Sequence, residues 1–229
     1  GTFFTVYPML LLGLVPVLNG HIIRQFFANM ALVSVFILLI QGMFGDKPIP
    51  MTIAVFFVFA FMFRCMSRGP YFLFGALGVV GLSVQLHFVS YSTVSMSDLV
   101  MSNIAACILT VLIAMLMHVV FPDVEARGKP PIVSKPQSNS RHEVILASTV
   151  ATLSFVVFQV LDLQDSLSAQ VSSVLILFPL NWYGAGRAAL NRGIGTLVGC
   201  NVGLAWQLIL LDHSGILGFV SIGLWVSMM

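Results

Sequence analysis

The chain has 229 residues, of which 59% are hydrophobic and only 8% are charged, and its net charge at pH 7 is +2. A soluble domain carries about 25% charged residues, so this composition excludes a protein whose surface faces water throughout. A transmembrane β-barrel would need apolar and polar residues to alternate, whereas the runs 101–120 and 144–161 are continuously apolar. The sequence therefore predicts an all-α, polytopic transmembrane helical bundle in a lipid bilayer, and it offers nothing that would bind nucleic acid.

Apolar runs separated by Gly, Pro and charged residues predict nine spans in chain order. Their bounds are 3–18, 22–42, 51–66, 70–90, 99–121, 143–161, 171–183, 188–211 and 214–229. A helix needs about twenty residues to cross a hydrocarbon core about 30 Å thick. Segment 171–183 is too short to cross alone, and segment 3–18 is interrupted by Pro8 and Pro16, which lack a backbone N–H.

The positions of the charges orient these spans. The connection 122–142 contains four basic residues, so the positive-inside rule places it in the cytoplasm. Alternation of the spans then puts nine of the ten basic residues on that side, with Lys47 as the exception, and five aspartates on the other. Because the stretch 129–140 is rich in Pro, Ser and Asn, the connection is predicted to be a flexible cytoplasmic linker.

The halves on either side of this linker, 1–121 and 143–229, resemble each other in layout. Each contains a short or Pro-interrupted segment, then a polar turn with arginine, then a full-length span. Both short segments run in the same direction on the charge map, which predicts two parallel repeats about an axis normal to the membrane. The repeat further predicts a helix upstream of Gly1 that starts in the cytoplasm, and a second half that is cut short at its C-terminal end.

Short or broken segments at matching places in two halves point to a transport site. Arginine presents a planar fork of donors that suits a carboxylate, and Trp or Tyr offers a flat apolar face. This combination predicts a site for an aromatic or amphipathic organic anion, although arginines and aromatic residues at helix ends also serve as topology anchors. The predicted binding residues are Arg187, Arg192, Asn181, Trp182 and Asn191 in the second copy and Arg24 and Asn19 in the first.

Glycines and prolines are assigned structural roles. Glycines on one helix face let a neighbouring helix approach closely, and two segments carry such sets. The stronger set is Gly195, Gly199 and Gly203, and a looser set is Gly75, Gly78 and Gly81. Pro8 and Pro179 are predicted to shape the two short segments.

Signatures of soluble enzymes are absent from the sequence: there is no GxSxG, HExxH, P-loop or GxGxxG, so no catalytic residue is predicted and the chain is not expected to be an enzyme. Cys65, Cys107 and Cys200 have no metal-ligand spacing, so neither a metal site, a cofactor nor a disulfide is predicted. No Asp or Glu lies at mid-span. His87 and His118 lie near span ends, where we expect solvated side chains.

The run PLNWYGAGRAALNRGIGTLVG at 179–199 resembles the fusaric acid resistance and aromatic acid exporter family, whose members show a similar Pro, a short turn and an Arg before a Gly-Thr-Leu-x-Gly helix. The resemblance implies an efflux subunit of the bacterial inner membrane that exports aromatic or other organic acids with a periplasmic adaptor protein. Larger members carry a sizeable cytoplasmic domain between the halves. The short linker 122–142 therefore makes this chain similar to a compact member.

Two other functions stay open at this point. One is an organic-anion channel, because plant anion channels permeable to malate share a related arrangement with the family just named. The other is a membrane scaffold subunit that transports nothing, which the glycine faces and the scarcity of mid-span charge allow. The same close-packing faces are compatible with a homo-oligomer.

Overall fold

A computed structural model of the protein describes six stretches of the chain. They are 3–15, 18–45, 47–91, 95–121, 137–163 and 166–212. Within these stretches the chain forms α-helices and one 3-10 turn, and no strand. The predicted all-α class is therefore confirmed. Most of the predicted linker and the ninth predicted span, 214–229, lie outside the described residues.

Eight helices follow one another in the described part of the chain. They are α1 (Phe3–Leu14), α2 (Gly20–Phe44), α3 (Pro48–Met66), α4 (Phe72–Val89), α5 (Met96–Val120), α6 (Gln137–Val160), α7 (Leu167–Leu175) and α8 (Trp182–Asp212). Each of the first eight predicted spans overlaps one of them. The beginning of α6 at Gln137 lies inside the predicted linker, because the polar residues there continue the helix ahead of its apolar part.

Local sequence signals fix several of these ends. The side chain of Ser95 accepts a hydrogen bond from the backbone N–H of Asp98 at 3.2 Å and so caps α5. Pro48 opens α3, where its missing N–H costs nothing. After α7 the backbone tightens into turns before Pro179, and Leu180 then adopts a left-handed φ of 47°. The short seventh helix thus ends at Leu175, four residues before the proline.

The protein is a multi-pass membrane protein. Five helices are long and apolar enough to cross a bilayer: Gly20–Phe44, Pro48–Met66, Gly69–Val89, Ser97–Val120 and Ser140–Val160. Their outward faces carry large apolar side chains, and on α5 the exposed fraction is 49% for Ile104, 51% for Ile108 and 51% for Met115. A row of this kind is unfavourable in water and suits lipid tails.

Helix α4 lies at the centre of the first part of the fold. It contacts α2, α3, α5 and α7. Within its most apolar stretch of 18 residues, 78% is buried inside the protein, against 28–39% in the corresponding stretches of the other four spans. Its two sides face two separate core clusters. Val79 and Leu82 belong to a cluster with α2, α3 and α6, whereas Leu77 and Val80 belong to one with α1, α2 and α5.

Close packing around α4 depends on its glycines. A Cβ added to Gly75 would lie 2.4 Å from the backbone N of Met66 and 2.5 Å from the carbonyl oxygen of Met62, so only glycine fits there against α3. A Cβ on Gly78 would meet the side chains of Met62 and Asn29. The looser of the two predicted glycine sets therefore makes the close approach between helices in this part of the protein.

The chain divides after Leu180 into two compact units, residues 1–180 and 181–229. The described part of the second unit is α8, and within that unit the stronger glycine set faces open space. A Cβ on Gly195, Gly199 or Gly203 would meet nothing within 4 Å. Packing of a further helix on this face stays a prediction, as do the parallel repeat and the division into halves at 122–142.

Candidate functional site

The first copy of the predicted site lies at the start of α2. The carboxamide oxygen of Asn19 accepts a hydrogen bond from the backbone N–H of Ile22 at 3.0 Å, so Asn19 is the N-cap of this helix. The Nε of Arg24 donates to the carbonyl oxygen of Gly20 at 3.3 Å, and its side chain is exposed. Of the guanidinium nitrogens, only Nε takes part in this bond. The bond holds the guanidinium group beside the N-terminus of α2, where a bound anion is favoured.

The second copy repeats this local arrangement at the start of α8. The carboxamide oxygen of Asn181 accepts from the backbone N–H of Gly184, and its carbonyl oxygen accepts from Ala185 at 2.9 Å. Asn181 thus caps α8 as Asn19 caps α2. Within α8, Arg187 and Asn191 are one helical turn apart and share a face. Arg192 follows Asn191 directly in the chain.

The remaining predicted site residues take different places. Trp182 is the first residue of α8, and its side chain lies outside the described residues. Pro8 lies inside α1, where it is buried. Pro179 is exposed in the turn that precedes α8. The structure thus brings Arg187, Asn191 and Arg192 onto one helix, while the first copy consists of a cap and one arginine.

A buried hydrogen-bond chain that sequence reasoning missed links α1 to α5 and α2. The hydroxyl of Tyr7 donates to Oδ1 of Asn103 at 2.8 Å, and Nδ2 of Asn103 donates to the hydroxyl of Ser34 at 2.9 Å. Tyr7 and Asn103 are 0% and 2% exposed. In the sequence, these residues are visible only as single polar residues within apolar runs. That pattern does not reveal which of them form hydrogen bonds with each other.

The other short helix, α7, is tied to α4 in a similar way. Nδ1 of His87 and Oε1 of Gln170 are 2.7 Å apart, and both residues are buried. The expectation of a solvated His87 is therefore wrong, because α7 covers this end of α4. The ring of Tyr91 lies 5.1 Å from that of His87, centroid to centroid. Burial, together with the nearby carboxylate of Asp162, raises the pKa of the Tyr91 hydroxyl.

The bond between Tyr7 and Asn103 is expected to contribute measurably to stability. A double-mutant cycle with Tyr7→Phe and Asn103→Ala should give a coupling free energy of about 1 kcal/mol, because removal of either partner leaves the other unpaired in an apolar interior. Unfolding of the purified protein in mixed micelles measures it. A matched cycle that pairs Tyr71→Phe, an exposed residue, with Asn103→Ala should be additive. Equal coupling in both cycles would contradict the assignment.

The buried side chains at these places are hydrogen-bond donors and acceptors. Arg24 and Arg187 lie in the second turns of α2 and α8, and Arg192 lies five residues further along α8. In the described stretches no three His, Cys, Asp or Glu side chains come together in a way that could hold a metal ion. Such an arrangement can orient an anionic or polar molecule by hydrogen bonds and charge.

Comparison with known proteins places the chain in a family without assigning it an activity. No curated protein and no solved structure matches it. A family model described as "Protein of unknown function (DUF2955)" matches residues 1–117, which include α1 to α4 and most of α5. The match contains Asn19, Arg24 and the Tyr7–Asn103 bond, but not the run 179–199. The matched residues are half of the chain, and the protein belongs to the DUF2955 family of proteins of unknown function.

Proposed function

We propose that this protein is a bacterial inner-membrane efflux subunit that exports organic acids, among them aromatic ones. The observation that carries the proposal is the pair of short helices, α1 and α7. Each holds a buried polar side chain that bonds to a full-length helix, Tyr7 to Asn103 and Gln170 to His87. Each is followed by an asparagine-capped helix with an arginine near its beginning.

The physical reasoning starts from the cost of polar groups in lipid. Short helices and buried polar side chains within the membrane are unfavourable unless protein covers them or they border a polar route. Paired short segments of this kind are a feature of transporters, whose binding sites lie where such helices end. Arginines beside these ends would attract and orient a carboxylate before it enters.

The cargo class, the partner and the location are proposed from the family resemblance of 179–199. On that basis a periplasmic adaptor protein receives the cargo, and the linker 122–142 faces the cytoplasm. The distribution of basic residues supports the same orientation, because Arg24, Arg187 and Arg192 then lie on the cytoplasmic side, from which the cargo comes.

Export of benzoate from cells that produce the protein tests this function. The double variant Arg187→Ala/Arg192→Ala is expected to export about tenfold more slowly, since even one lost charge-assisted hydrogen bond weakens binding by about that factor. The matched control is Arg141→Ala, an exposed arginine at the beginning of α6 on the same proposed side. It should export at the normal rate.

Two results would contradict the proposal in different ways. Unchanged export in the double variant would remove the arginines from the site and leave the function standing. Absence of benzoate export by the unmodified protein would remove the function. In proteoliposomes, benzoate current that follows only the benzoate gradient would instead identify an anion channel.

A further inference from the structure

Three buried polar atoms make no hydrogen bond within the described part of the chain. They are Oδ1 of Asn29, Nε2 of Gln85 and Oγ1 of Thr110. Gln85 is the most informative of the three, because it is 1% exposed and lies on α4, the helix that other helices surround, about one turn before the end of α4 at Val89. An unpartnered amide in such a place destabilises the fold, and it calls for an explanation such as a ligand that supplies the missing acceptor.

The surroundings of Gln85 are polar on one side. Its side chain lies next to the hydroxyl of Tyr7 on α1. One helical turn earlier, Gly81 has no side chain, and a Cβ there would lie 3.8 Å from the same hydroxyl. The face of α4 that carries these two residues therefore looks onto Tyr7 and, through it, onto Asn103.

Helix α5 extends this polar region. Asn103 and Thr110 are two helical turns apart and share one face, and both are buried. Asn103 accepts from Tyr7 and donates to Ser34, whereas the hydroxyl of Thr110 has no partner within the described residues. Four helices, α1, α2, α4 and α5, thus surround a set of neutral polar groups inside the membrane.

We infer that Gln85 and Tyr7 form an intramembrane site that binds a carboxyl oxygen of an organic acid. The Nε2 group of Gln85 carries two N–H donors, and the Tyr7 hydroxyl oxygen beside it can engage only one of them, so at least one donor is left unused within the described residues. The Tyr7 hydroxyl, which donates to Asn103, is the neighbouring donor. Several neutral donors stabilise a carboxyl group without a buried counter-charge. The inference rests on the proposed export of organic acids and adds the place in the membrane where the cargo is held.

Access to this site involves α1. Tyr7 precedes Pro8, which has no N–H to donate, so one backbone hydrogen bond of α1 is missing next to the site. The Tyr7–Asn103 bond joins α1 to α5. When cargo binds, the Tyr7 hydroxyl would donate to the carboxyl oxygen of the cargo and no longer to Oδ1 of Asn103. The carboxyl group of the cargo then accepts a hydrogen bond from the Gln85 amide.

Thermal unfolding of the full chain in lipid nanodiscs, with benzoate and acetate as probes, tests the inference. Benzoate should raise the Tm of the unmodified protein in a concentration-dependent manner, because it binds the folded state. Gln85→Met should raise the Tm without ligand by a few degrees, since an apolar side chain of similar size replaces the unpartnered amide, and should lose the benzoate-induced shift. Ser83→Ala, which alters a buried hydroxyl that bonds to its own helix, should keep that shift.

The outcomes separate the site from the function. A benzoate-induced shift of normal size in Gln85→Met, or no shift with either probe in the unmodified protein, would overturn the site. A shift that depends on Gln85 in a protein that exports no benzoate from cells would keep the site and refute the proposed function. Normal export by Gln85→Met would refute the site and keep the function. Benzyl alcohol, which lacks the carboxyl group, should cause a smaller shift than benzoate.

Discussion

Gly75→Ala is expected to destabilise the protein by about 3 kcal/mol or to prevent its folding, because the new methyl group cannot be accommodated. It would lie 2.4 Å from the backbone N of Met66 and 2.7 Å from its Cα. These are backbone atoms of α3, so no side-chain rotation relieves the overlap. The helices α3 and α4 must separate, and the buried contacts of Met62 and Met66 are lost. Detergent-solubilised protein assayed by size exclusion and thermal unfolding shows the effect.

A matched substitution elsewhere isolates this cause. Gly42→Ala changes the same residue type near the end of α2, where a Cβ would meet nothing within 4 Å. Alanine has the higher helix propensity, so this variant should be as stable as the unmodified protein or more so, by about 1 kcal/mol at most. Equal losses in the two variants would show that glycine flexibility, and not the close approach of α3, is what matters at Gly75.

Phe59→Ala is expected to cost about 3–5 kcal/mol, because it leaves a cavity in the cluster between α2, α3, α4 and α6. Phe59 is 1% exposed, and its ring lies 6.4 Å from that of Phe63, centroid to centroid. The surrounding helices can relax only partly around the lost ring. Unfolding in mixed micelles of increasing denaturant content measures the loss.

Phe57→Ala supplies the comparison from the same helix. Phe57 is 64% exposed on the side of α3 that faces lipid. Lipid tails fill the space that the ring vacates, so this variant should lose less than about 1 kcal/mol. A loss at Phe57 as large as that at Phe59 would contradict the orientation of α3, since it would place protein on the face that the structure assigns to lipid.

The sequence by itself determined that this protein is a multi-pass helical membrane protein, and it located the helices. Each of the runs 22–42, 51–66, 70–90 and 99–121 became a helix at nearly the same bounds, because an apolar run of sufficient length must satisfy its backbone hydrogen bonds internally. Asn19 was predicted as a binding residue, and the structure shows in addition that it caps α2, since a helix beginning needs a side-chain acceptor.

Only the tertiary structure decided which faces of these helices are buried and which polar groups meet. The spans at 20–44, 48–66 and 69–89 have similar mean hydropathy, 2.0, 2.0 and 1.9, yet only the last is surrounded by protein. Lipid and protein interior are both apolar, so hydropathy does not distinguish a face against lipid from a face against another helix. The close approach at Gly75, the Tyr7–Asn103 bond and the unpartnered amide of Gln85 depend on contacts between distant parts of the chain, and for that reason they appear only in the folded arrangement.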